Sequence, residues 1–99
     1  MKNIVLICAA GMSTSLLVEK MQRCAKDDNY DCQINAYSMS ESTRVIPDAD
    51  VVLLGPQVRF NLAKLKVQYP DKKIVTIDMV LYGTMNGRAV LDVAKKEMD

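Results

Sequence analysis

The run Asn3–Cys8 limits the possible folds more than any other part of the chain. Every residue between Asn3 and Cys8 is Ile, Val or Leu, so an extended segment there is apolar on both faces. Such a strand must be covered on both sides, as happens at the centre of a parallel sheet with helices above and below. Ala49–Leu54 repeats the pattern, and Lys73–Ile77 is a shorter run with β-branched residues. Cys32, Ile34 and Ala36 alternate with Gln33, Asn35 and Tyr37. That period of two suits an edge strand with one wetter face.

Helical stripes separate these runs. Leu17, Met21 and Cys24, with Leu16 and Ala25 beside them, predict an amphipathic helix over Thr14–Asp27. Val58, Leu62, Leu65 and Tyr69 predict another, closed by Pro70. Ala89, Val90, Val93 and Ala94 predict a last helix with Asn86 as its N-cap. The polar stretch Ser38–Ile46 suggests a short helix ending at Pro47.

The alternation predicts one α/β domain over residues 1–99. Its sheet should be four-stranded and parallel in the order 2-1-3-4, inside a flavodoxin-like three-layer sandwich. The two most apolar strands take the middle. Ligands of such sheets bind past the strands' carboxyl ends where the winding reverses. Here that point lies between Cys8 and Gly55-Pro56-Gln57.

Thirteen basic and twelve acidic residues leave a formal charge of +1. No field of one sign is implied, so neither nucleic acid nor an anionic membrane is an expected partner. No apolar run is long enough to span a bilayer, and the N-terminus enters a strand pattern at once, without a signal peptide. A cytoplasmic protein with no direct membrane insertion is the expectation. The chain has three cysteines, no CxxC pair and no histidine. A disulfide framework and a structural zinc site are therefore not expected, and catalysis by Ser-His or Cys-His within the chain is excluded. Neither a metal nor a cofactor is expected.

The segment Cys8-Ala9-Ala10-Gly11-Met12-Ser13-Thr14-Ser15 joins the buried strand directly to the first amphipathic helix. Small side chains let successive N–H groups converge on one anion, and the helix start adds unpaired donors and a dipole. Ser13, Thr14 and Ser15 add hydroxyls and offer an N-cap. These donors favour the thiolate, the nucleophilic form of cysteine. They would then hold a phosphoryl group on Cys8 as a phosphocysteine. Phosphatases with a Cys-x5-Arg loop clamp phosphate with the arginine; the sixth residue after Cys8 is Thr14, and the loop has no arginine. Without the clamp the loop suits a carrier better than a hydrolase. Cys24 lies on the apolar face of the first helix and Cys32 at an inward edge-strand position, so both are expected to be structural. A nucleotide-binding module would need GxGxxG or a GKS/GKT loop, and neither is present.

Three segments together closely resemble the enzyme IIB component of the bacterial sugar phosphotransferase system, in its lactose/cellobiose (diacetylchitobiose) class. They are Ile7–Leu17, Ala49–Gln57, and Ile77-Asp78 with Leu81-Tyr82-Gly83. The resemblance spans nearly the whole chain, with Lys26–Pro47 contributing little to it. It implies a protein-phosphocysteine sugar phosphotransferase. A phosphohistidine on a IIA phosphodonor protein would phosphorylate Cys8, and Cys8 would phosphorylate a sugar, cellobiose or a related β-linked disaccharide, bound to the membrane IIC transporter. Ala9, Ala10, Gly11, Met12, Ser13, Thr14 and Ser15 would form the phosphate loop, with Gln57 and Tyr82 bordering it. Met12 is also expected to contact the partners. Asp78 ends the fourth strand and is read as a capping or turn residue. The alternatives are a small cysteine phosphatase and a regulatory module of the same winding.

Overall fold

The computed structural model describes residues 1–9 and 11–99, and the side chains of all of these but 11–13. Strand β1 (Lys2–Cys8) leads to helix α1 (Gly11–Asp27) and strand β2 (Cys32–Ser38). A winding segment follows, with a 3-10 turn at Met39–Glu41, the single-turn helix α2 (Ser42–Val45) and a 3-10 turn at Ile46–Asp48. Strand β3 (Val51–Leu54) runs into a 3-10 segment (Pro56–Asn61) and helix α3 (Leu62–Gln68). Strand β4 (Ile74–Thr76), the short helix α4 (Met79–Gly83) and helix α5 (Gly87–Met98) complete the chain.

The four strands are all parallel, in the order β2-β1-β3-β4. This is the expected flavodoxin-like winding. β1 is central because its side chains are apolar on both faces. Ile4 and Leu6 join Leu17, Met21, Val90 and Leu91 under α1 and α5. Val5 and Ile7 join Val45, Ile46, Val58 and Leu65 under α2 and α3. Each such side chain contributes about 1.5–3 kcal/mol when fully buried, so the central strand anchors both layers. β2 alternates as an edge strand should: Ile34 is buried, and Gln33 and Asn35 are exposed.

Several boundaries differ from the sequence reading. α1 begins at Gly11, three residues before Thr14, so Ser13, Thr14 and Ser15 lie inside the helix and not at its N-cap position. Pro47 lies within the final 3-10 turn of the winding segment, where a proline at an early helical position loses no needed N–H. The helix after β3 is broken at Val58, which has φ −119° and ψ 16°, and regular α-helix starts only at Leu62. On α5 the buried stripe is Gly87, Val90, Leu91 and Ala94, and Val93 points outward at 38% exposure. The expected cap holds there: Asn86 Oδ1 accepts from Ala89 N at 3.1 Å.

Gly87 lets α5 approach α1. A Cβ at Gly87 would lie 2.7 Å from Lys20 Cβ and 2.9 Å from both Lys20 C and Met21 N. Beside this contact, Arg88 donates twice to Asp28, at 2.6 and 3.1 Å, and Lys95 donates to the same carboxylate at 2.7 Å. Together they fasten the end of α1 to α5.

Candidate functional site

The site is built where the winding reverses, at the carboxyl ends of β1 and β3. Cys8 is the last residue of β1, in register with Ser38 of β2. It has no exposed surface, and its Sγ lies 3.8 Å from the Tyr37 carbonyl, a weak S–H donation to the neighbouring strand. On the other side, Gly55 N donates to Ile7 O at 2.8 Å and carries the ladder one residue past the end of β3. A Cβ on Gly55 would sit 3.5 Å from Cys8 Cβ and 2.9 Å from Oε1 of Gln57. Gln57 therefore folds its amide back over Gly55, beside the cysteine.

Ala9 is an exposed bend after the strand, and α1 opens at Gly11. The first turn of this 17-residue helix holds no acidic residue, and Lys26 occupies its last turn. Both features match the helix dipole and leave the amino end free of a carboxylate that would repel an anion. Ala10 lies outside the described residues, as do the side chains of Met12 and Ser13, so the expected contacts of those residues are not described here. Ser15 is exposed on α1.

Thr14 is buried at 1% exposure, and its Oγ1 lies 2.9 Å from the hydroxyl of Tyr82 on α4. Tyr82, 9% exposed, also walls an open groove of about 370 Å³ with Pro56, Gln57 and Met79. Thus Cys8, Gly55, Gln57, Tyr82 and Thr14 form one connected series from β1 through the β3 end and α4 to α1. Asp78 is not in that series as an acid. Its Oδ1 accepts from Val80 N at 2.8 Å and Leu81 N at 3.2 Å and caps α4.

Residues 3–93 match the family model described as the PTS system, lactose/cellobiose-specific IIB subunit. The chain belongs to this IIB family. It is 42% identical to a cellobiose-specific EIIB component of Lactococcus lactis subsp. lactis, over 99% of this chain and 97% of that one. It is 41% identical to a galactose-specific EIIB component of Lactococcus lactis subsp. cremoris, with the same coverage. Among solved structures, the cellobiose-specific IIB protein of Borrelia burgdorferi superposes with a TM-score of 0.82. That protein is 41% identical, over 98% of this chain and 91% of that one.

Membership places this IIB chain in a sugar phosphotransferase system. Cys24 and Cys32 are half-buried against the core under α1 and α5. Burial pushes the Cys32 thiol up, which keeps it protonated and a poor nucleophile. Among the described residues no group of His, Cys, Asp and Glu could hold a metal ion. No helix among them is long and apolar enough to cross a membrane. Sequence reading of the IIB chain set Gly55 at the switch point and missed one member of the site, the Tyr37 carbonyl beside the Cys8 sulfur. It follows from the strand order once Cys8 is placed at the end of the central strand.

Proposed function

We propose that this IIB chain is a cytoplasmic phosphocarrier that works through Cys8. The Cys8 sulfur attacks the phosphorus of a phosphohistidine on a IIA protein. The S–P bond forms as the N–P bond breaks, and the thiol proton leaves to the released imidazole. In the second step a hydroxyl of a sugar held by the IIC transporter attacks the same phosphorus. The S–P bond breaks, the sugar phosphate departs and the hydroxyl proton is given up to the thiolate. These 99 residues hold no histidine, so in this reading the phosphohistidine donor lies outside them.

The observation that carries this reading is the position of Cys8. It ends the central strand, three residues before the amino end of a long helix whose first turn lacks any carboxylate. Amides at a helix start favour a phosphoryl dianion, and each hydrogen bond to such a charge is worth about 1.5–3 kcal/mol. Ala9 to Ser15 supply the cradle in this reading, with Gln57 and Tyr82 at its border. The loop contains no arginine to drive hydrolysis of a phosphoester. Because Cys8 is buried, transfer requires its side chain to turn away from the Tyr37 carbonyl toward the donor.

The sugar we propose is cellobiose or a related β-linked disaccharide. The chain is nearly equally identical to cellobiose- and galactose-specific relatives, so overall identity gives no preference between those sugars. In this reading the choice rests with the transporter that binds the sugar.

Intact-mass measurement tests the reading. The chain is mixed with phosphoenolpyruvate, the general phosphotransfer proteins and a cognate IIA. One added phosphate is expected, absent from Cys8→Ser. A phosphate that survives the substitution, or sustained Cys8-dependent hydrolysis of an aryl phosphate, overturns it.

A further inference from the structure

We infer that Thr14 and Tyr82 act as a positioning pair, which sets the amino-terminal turn of α1 against α4 for phosphoryl transfer at Cys8. The inference rests on the carrier reading above and deepens it.

The two hydroxyls are 2.9 Å apart, although 68 residues separate them in the chain. Thr14 is one of only two polar residues among the described buried set, the other being Ser42. A threonine in the first turns of a helix at a phosphate cradle would be expected to offer its hydroxyl to the anion. Here that hydroxyl is committed to the interior instead. Burying a hydroxyl is costly without a partner, so the pair fixes both side chains at once. Thr14 is the fourth residue of α1 and thus fixes the turn whose free N–H groups would face a phosphoryl group. Tyr82 carries that constraint to α4 and to the groove it shares with Gln57. Gln57 in turn lies over Gly55, next to Cys8. A shift of α4 therefore moves the helix start and the groove wall together.

Electrostatic stabilisation of a transferring group depends on donors held in place before the reaction. Losing the tie should leave the fold intact and loosen the donors. Phosphorylation of Cys8 by a phosphorylated cognate IIA, followed by rapid quench, reads this out. Tyr82→Phe and Thr14→Val are each expected to lower the maximal transfer rate by about tenfold, with half-saturation by the donor changed by less than about twofold. The double variant should be no slower than the worse single variant, since either change breaks the same tie. Thr14→Ser keeps a hydroxyl and should restore most of the rate.

Urea unfolding of the same variants separates loss of fold from loss of position. Stability losses with wild-type transfer rates would overturn the inference, as would additive rate losses or a Thr14→Ser variant as slow as Thr14→Val. A wild-type chain that takes no phosphate overturns the carrier reading and this one with it. A wild-type chain that is phosphorylated, with variants of unchanged rate, overturns the positioning pair alone.

Discussion

Gly55 and Cys8 lie side by side at the ends of adjacent strands, and a Cβ on Gly55 would stand 3.5 Å from the Cys8 Cβ. The closer neighbour of that added atom is Gln57 Oε1, at 2.9 Å. Gly55 has φ −61° and ψ 154°, which alanine adopts readily. Gly55→Ala should therefore fold, and the stiffer unfolded chain offsets the crowding to within about 1 kcal/mol. The Gln57 amide must move, and in the carrier reading it borders the phosphoryl group. Transfer to Cys8 should then slow by about tenfold, with no further loss in a Gly55→Ala/Gln57→Ala double variant. Unchanged transfer in Gly55→Ala would remove Gln57 from the site.

Gly87→Ala should behave in the opposite way. Alanine is the better helix former by about 1 kcal/mol. Yet its Cβ would meet backbone atoms of Lys20 and Met21 at 2.9 Å, and backbone cannot swing aside like a side-chain end. Overpacking of this kind costs about 1–3 kcal/mol, so a net loss of stability is expected by urea denaturation. A raised midpoint would show that α5 slides freely on α1.

Asp78 should matter as a cap and not as an acid. Asp78→Asn keeps an acceptor for Val80 N and Leu81 N and should be phosphorylated within about twofold of the wild-type rate. Asp78→Ala loses both bonds and should cost about 1 kcal/mol of stability. A carboxylate requirement would appear as slow transfer in Asp78→Asn at unchanged stability.

Acid should unfasten α1 from α5 at a defined point. Hydrogen bonds from Arg88 and then Lys95 hold the Asp28 carboxyl down from 3.8 to about 2. A carboxyl with a depressed value in the folded state contributes its stability above the unfolded value, here 3.8. That contribution falls away as pH drops through about 2. Asp28→Asn should accordingly unfold at lower urea than wild type at pH 7, and the gap should close near pH 2 and shrink in high salt. A gap that is constant across this range would assign the effect to packing.

The sheet was readable because each strand carries its own environment in its pattern. Ile4 to Ile7, apolar on both faces, can only be central, and the alternation of Gln33, Ile34 and Asn35 can only be an edge. Asn86 announced its helix through a capping side chain. The start of α1 was set at Thr14 because Ala9 to Ser13 carry no apolar stripe and include Gly11 and Ser13, residues common in loops, and the helix begins three residues earlier at Gly11. The stripe on α5 was set off by one position, since Leu91 and Val93 are equally apolar and only the approach at Gly87 decides which faces inward. The Thr14–Tyr82 pair has no local signature. Nothing near either residue specifies a partner 68 positions away.

Burial of Cys8 against the Tyr37 carbonyl also bears on the life of the protein between turnovers. Oxidation of a cysteine to a sulfenic acid, or its capture in a mixed disulfide, needs an oxidant to reach the sulfur. A thiol with no exposed surface denies that approach while the chain is idle. In the carrier reading its chemistry becomes available only when the side chain turns outward, and a chain at rest is then shielded from the oxidative damage that disables exposed reactive cysteines.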